Sequence, residues 1–389
     1  MISAETLDKA VAKGLISQTL RDQLEAMERA VALAPEARRA DDESDEGDEE
    51  NLRLVGGGND LFVTVGTVLL SAGFFFVLTT LLPGQTFWIA GIFAVFAWGL
   101  AEIVTRQHRM KLSSSVLALI FMAAILAALA LQVEASFGIR KPETIWQLLA
   151  LRQTASRAGY LFLGGGIIAA AIYFWRFRVP IIAGTIAIAF TLLAFLQTAI
   201  ILYDSVTTGA IAPPRLEDVP ELLRAALYMP LICGLIVFAT GVAFDIYDRD
   251  RRKIWSDCAF WLHVVSAPML VHPLFIMATG QNVVFGHIAP DANATIMLTI
   301  LILGFLYVAL AIDRRSLLVP TLAYFGSLGI YYLVNSASDS TGIPPFALIL
   351  VVVGALIILF GAGWQRIRRI VVNLTLPAAV IRRLPPLKA

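Results

Sequence analysis

The chain has 389 residues, 58% of them hydrophobic and 15% charged, with a net charge of +1 and a mean hydropathy of +0.77. Soluble domains carry about 25% charged residues, so this composition excludes an ordinary water-soluble fold and points to a bilayer. It also excludes a nucleic-acid partner, which requires a strong basic excess.

Residues 1–32 read as a small soluble helical hairpin. Ser3 caps a first helix whose Leu7, Ala10 and Val11 share a face, and Gly14 ends it. Ser17 caps a second helix with Leu20, Leu24, Met27 and Val31 at three- and four-residue steps. Two such helices bury too little apolar surface to fold robustly alone. They are expected to lean on the membrane part, a protein partner or a second copy. No basic head followed by an apolar core marks a signal peptide here. Residues 33–58 read as a disordered acidic and glycine-rich linker, carrying "DDESDEGDEE" (Asp41 to Glu50) and then Gly56 to Gly58.

Residues 59–364 contain long apolar runs, and a helix needs about 20 residues to cross the hydrocarbon. The expected spans are 61–82, 86–105, 113–133, 159–175, 179–203, 223–245, 255–279, 292–312, 316–335 and 344–364. The fold class is therefore all-α: a polytopic membrane helix bundle of about ten transmembrane helices. Seventeen basic residues fall in the turns after even-numbered spans and in the tail, and six fall on the opposite side. Short basic loops stay in the cytoplasm, so both termini are expected there.

Between spans 3 and 4, "KPETIWQLLALRQTASR" (Lys141 to Arg157) reads as an amphipathic helix on the outer surface. Residues 365–389 read as a basic cytoplasmic tail that attracts anionic lipid. Tyr173–Phe190 and Leu310–Ser327 both place arginines at a turn before Val-Pro and a small-residue helix, which hints at a duplicated hairpin. Gly164 to Gly166 suit close helix packing, with a broken helix as the alternative.

The remaining interest lies in "SDCAFWLHVVSAPMLVHPLF" (Ser256 to Phe275), an apolar span with an aspartate, a cysteine and two of the four histidines. Ionisable groups at membrane depth are candidates for function. His263 lies nearest mid-bilayer and His272 near the outer interface. They are nine residues apart, half a turn out of phase, so one unbroken helix does not bring both to a metal ion. No HExxH spacing, nucleotide loop or nucleophile motif occurs, and no metal or cofactor is expected. The candidate intramembrane polar site is His263, His272, Asp257, Gln197 and Tyr307, on a helix broken by Pro268 and Pro273. Other carboxylates read as local partners of nearby bases: Glu102 with Arg106, Asp245 with Arg249, Asp248 with Arg252, Asp257 with Lys253, and Asp313 with Arg314 and Arg315. Cys233 and Cys258 read as buried small hydrophobes.

"LDKAVAKGLISQTLRDQL" (Leu7 to Leu24), together with "DRDRRK" and the span that follows it, resembles a group of bacterial polytopic membrane proteins of unknown function. The resemblance implies a bacterial inner membrane and supplies no activity. Three functions are weighed. A transporter or permease centred on His263 fits the proline-broken helix. A non-catalytic membrane scaffold fits the scarcity of polar groups at depth. An enzyme acting on lipid-linked substrates would need outer acid–base groups, and Glu134, Glu143, Glu217, Asp218 and Asp291 are scattered. A wet His263 favours the first reading, and a dry, packed one favours the second.

Overall fold

A computed structural model describes residues 58–137, 152–212, 225–279, 292–317 and 345–377, with single positions 17, 19, 21, 381 and 384. The chain divides into two compact units, 1–51 and 52–389. In the first unit the Arg21 amide donates to the Ser17 carbonyl at 3.0 Å. Thr19 and Arg21 are helical, and the Ser17 hydroxyl meets that of Thr19 at 2.9 Å. The rest of the N-terminal hairpin, the acidic linker and most of the outer amphipathic segment lie outside the described residues.

The second unit is all-helical among its described residues. In chain order it comprises α1 (Gly58–Leu81), α2 (Thr86–Ala101), α3 (Lys111–Phe137), α4 (Arg152–Phe177), α5 (Ile181–Thr207), α6 (Tyr228–Tyr247), α7 (Ile254–Thr279), α8 (Ala292–Ile312) and α9 (Pro345–Thr375). A π-helical turn, Glu102–Gln107, extends α2, and a 3₁₀ turn, Arg315–Leu317, follows α8. Helices α1 to α7 are long and apolar enough to cross a membrane. The span expected over 316–335 lies outside the described residues apart from the 3₁₀ turn.

Burial in this unit is the reverse of a water-soluble fold. Large apolar side chains face outward: Phe62 is 78% exposed and Trp175 80%. The inward face of α1 is mostly small or polar. Along α1 the buried residues are Asp60, Thr64, Thr67, Ser71 and Leu78, at helical spacing. Lipid tails solvate the outside, and close backbone approach holds the inside. A Cβ on Gly165 would meet Leu129 at 3.0 Å, and one on Gly166 would meet Leu126 at 3.1 Å. Helix α4 runs unbroken through the three glycines; Gly165 and Gly166 serve packing on α3, while a Cβ on Gly164 would meet nothing within 4 Å.

Three apolar clusters tie the helices together. Around Ala97, Leu117 and Ile182, the rings of Trp98, Phe121, Tyr173 and Phe177 pack edge-on or stacked, with centroids 4.6 to 5.8 Å apart. Ala187, Val237 and Leu262 join α5, α6 and α7. Ala267, Leu310, Leu317 and Trp364 join α7, α8 and α9.

The turns at the two ends differ chemically. Gly84 and Gly209 take positive φ after α1 and α5. At the arginine-rich turns the left-handed residue is Arg109, Arg178, Arg251 or Asp313, with φ between 51° and 56°. A side chain there costs about 1 kcal/mol or more. At Asp313 the amides of residues 313 and 314 return to the carbonyls of Leu310 and Ala309, a Schellman closure of α8. Two of these strained residues, Arg251 and Asp313, put their side chains to work together.

Helix α9 corrects one boundary. The apolar run ends at Trp364 with a basic tail beyond, yet the helix continues to Thr375. Arg368 on the extension is fully buried.

Candidate functional site

The polar residues of the bundle gather where α6, α7 and the turn after α8 meet. Asp245 lies in the last turn of α6 on its buried face, His263 sits in the third turn of α7, and Arg314 follows the closure of α8. His263 Nε2 lies 2.9 Å from Asp245 Oδ2. Arg314 Nε donates to the same oxygen at 3.1 Å, and Arg314 Nη2 donates to Oδ1. Nη2 also reaches the Ser256 hydroxyl at 2.8 Å and its carbonyl at 3.0 Å. Asp245, Ser256, His263 and Arg314 are each at most 5% exposed. The forked contact uses Arg314's planar guanidinium and leaves one Asp245 lone pair for the imidazole.

His263 is closed in on the other sides. A Cβ on Gly241 would stand 2.9 Å from its Cε1, and the Phe238 ring centroid lies 5.2 Å from its own. Its Nδ1 has no hydrogen-bond partner among the described residues. An imidazole with its proton on Nε2 fits this setting, because Nδ1 then carries a lone pair rather than an orphaned donor.

A second charged knot adjoins the first. Asp313 pairs with Arg251 at 3.4 Å and with Arg368 at 3.7 Å, and Trp364 Nε1 donates to it at 2.7 Å. Arg251 donates to the Asp313 carbonyl at 2.8 Å, and Arg368 Nε to that of Leu310 at 3.0 Å. These groups come from the turn after α6, the end of α8 and α9. Two further carboxylates hold helix ends. Asp60 accepts from the amides of Leu112 and Ser113 at 2.9 and 3.1 Å, which caps α3 from α1. Asp248 accepts from the amides of Arg252, Lys253 and Ser256 at 2.9 to 3.2 Å and caps α7.

Several expected pairings are corrected by these contacts. Asp245 takes Arg314 and His263, not Arg249. Arg249 Nε instead donates to the Leu384 carbonyl at 2.8 Å. Asp248 takes the Arg252 amide, not its guanidinium. Asp313 takes Arg251 and Arg368 from other elements, not its sequence neighbours. Glu102 does pair with Arg106 at 3.4 Å, and more closely with Arg176 of α4 at 2.8 Å.

The five candidate residues do not form one site. His263 is buried, while His272 and Asp257 are exposed on α7. Gln197 accepts from Tyr160, and Tyr307 donates to Thr375 at 3.0 Å. Asp245, Ser256 and Arg314 are what meets His263. Nothing in their local sequence marks them as distant partners, beyond each being polar next to an apolar run. No cluster of three His, Cys, Asp or Glu side chains suited to a metal ion occurs among the described residues. Cys233 and Cys258 are free and buried.

Family models, curated proteins and solved structures give no match to this chain.

Proposed function

We propose that this is a non-catalytic scaffold of a bacterial inner membrane. It crosses ten times with both termini in the cytoplasm, and it presents residues 1–32 to a protein partner. The observation that carries the reading is the dryness of His263. Its imidazole is fully buried, bonded to Asp245 and shut in by Gly241. A group in such a setting orders helices and has no room beside it for a solute. The paired charges fix the register of α6, α7, α8 and α9, the best-attested use of buried ionic groups. The excess of basic residues in alternate turns supports the orientation. The bacterial assignment rests on the resemblance of the N-terminal segment and of the α7 region.

The transporter reading keeps one specific support. His263 and Asp245 share a proton-bearing contact, and a second ring nitrogen stands unpartnered. That is the arrangement from which a proton relay is built.

Proteoliposomes carrying the full chain and an internal pH-sensitive dye separate the two. The scaffold predicts the same slow proton leak for wild type and His263→Ala under an imposed pH step. It also predicts a partner that co-purifies with the full chain and is lost when residues 1–32 are removed. Proton movement well above that of empty vesicles, abolished by His263→Ala, would replace the scaffold with the transporter.

A further inference from the structure

We infer that helices α4 to α7 hold an anionic phospholipid of the leaflet on the side of the arginine-rich turns. A cavity of about 440 Å³ lies between these helices, walled by Ala187, Phe190, Cys233, Val237, Trp255 and Leu262 among others. His263 is not one of its walls. The two lining hydroxyls are already satisfied: Thr191 donates to the Ala187 carbonyl at 2.9 Å and Thr240 to that of Ile236 at 2.8 Å. A polar solute would find nothing there to bond, whereas hydrocarbon would lose nothing.

Length and position select an acyl chain. The walls run from Ala183 to Ala194 on α5 and from Cys233 to Phe244 on α6. At 1.5 Å per residue each rises about 16 Å, close to half of a bilayer core of about 30 Å. The cavity thus has the depth of a single leaflet. Its flanks belong to the lipid-facing surface, with Ile188, Leu235 and Ile236 each about half exposed or more. One end lies beside the arginine-rich turns. Arg178, exposed, stands five residues before Ala183, and Lys253, exposed, two before Trp255. The Lys253 ammonium rests 5.1 Å from the Tyr247 ring, within a turn of Phe244 at the cavity's end. Cations therefore stand where the lipid's phosphate would emerge, and charge complementarity chooses an anionic headgroup over a zwitterionic one.

Native mass spectrometry of the full chain in detergent, titrated separately with phosphatidylglycerol and phosphatidylcholine, tests this. The wild type should retain phosphatidylglycerol the more tightly. The double variant Arg178→Gln/Lys253→Gln alters only exposed side chains. It should weaken phosphatidylglycerol about thirty-fold, on the scale of two basic residues near a membrane surface, and leave phosphatidylcholine unchanged. Thr240→Trp, which fills the cavity, should remove the tightest adduct of either lipid. Equal retention of the two lipids by wild type, or unchanged phosphatidylglycerol binding in the double variant, overturns the assignment. Neither outcome bears on the scaffold reading, which concerns His263 and residues 1–32.

Discussion

Asp313 and Arg314 are adjacent in sequence and serve opposite partners. Asp313 takes Arg251 from the turn after α6, and Arg314 takes Asp245 from the end of α6. Each hairpin thus lends an arginine to the other's aspartate, and the two contacts lock the arginine-rich ends of α6, α7 and α8 together. Removing one partner of such a pair leaves an uncompensated buried charge, at a cost of about 3–5 kcal/mol. Asp245→Ala is expected to lower thermal stability in detergent on that scale. Glu102→Gln, which removes a half-exposed pair, should cost about 1 kcal/mol or less. Comparable melting temperatures for the two variants would refute the difference.

Gly241 gives a sharper local test. Its Cβ would press on the His263 ring at 2.9 Å, while Gly91 and Gly99 have nothing within 4 Å. Alanine gains up to about 1 kcal/mol over glycine in a helix, so Gly91→Ala and Gly99→Ala should be neutral or stabilising. Gly241→Ala must also displace a packed ring, which costs about 1–3 kcal/mol. It should be destabilising, and combining it with His263→Ala should cost less than the two changes added. Strict additivity in that double-mutant cycle would show that the ring and the glycine do not meet.

How far the fold was readable varies by element. The apolar runs at α1 to α7 are plain because a bilayer demands about 20 apolar residues, a signal that survives any packing arrangement. The charged residues were misjudged for the opposite reason. Four-residue spacing points Asp245 to Arg249, and sequence adjacency points Asp313 to Arg314 and Arg315. Their real partners lie 69 and 62 residues away along the chain, and no periodicity reports that. The basic–apolar mix after Trp364 reads as a tail beside anionic lipid, yet of Arg366, Arg368 and Arg369 only Arg368 is buried. Asp60 did leave a trace. An aspartate opening an apolar run, followed by Thr64, Thr67 and Ser71 on one face, marks a polar seam that helical spacing reveals.

That seam predicts a modular defect. Asp60 holds the first turn of α3 through two amides and the Ser113 hydroxyl, the last at 2.7 Å. Loss of a capping side chain costs about 1–2 kcal/mol, and Asp60→Ala should reach the upper end because the site is buried. Hydrogen exchange should rise first in α1 and the start of α3, with α6 and α7 unaffected. Uniform loosening of all helices would contradict the local role.

The orientation yields a labelling prediction. Cysteines placed singly at the exposed turn residues Arg109, Arg178 and Arg252, in a background lacking Cys233 and Cys258, should all react with a membrane-impermeant maleimide from the same side. Cysteines at Gly84 and Gly209 should react from the other. One arginine-turn position labelled together with the glycine turns would break the alternation on which the proposed ten-span topology rests.

The α9 extension provides the last contrast, between two adjacent arginines. Arg368 is fully buried, with Nε on the Leu310 carbonyl and beside Asp313, while Arg369 is exposed. Arg368→Ala leaves Asp313 short of one cation and the Leu310 carbonyl short of a donor, so a loss of about 2 kcal/mol or more is expected. Arg369→Ala should fall within about 0.5 kcal/mol of wild type. Arg368→Lys keeps the charge, but a lysine has no Nε–H at that point of the side chain and lacks the planar fork. It should therefore recover only part of the loss. Equal melting temperatures for Arg368→Ala and Arg369→Ala would return this segment to a lipid-facing tail. The expected gap between them would make it the hold of α9 on the second charged knot.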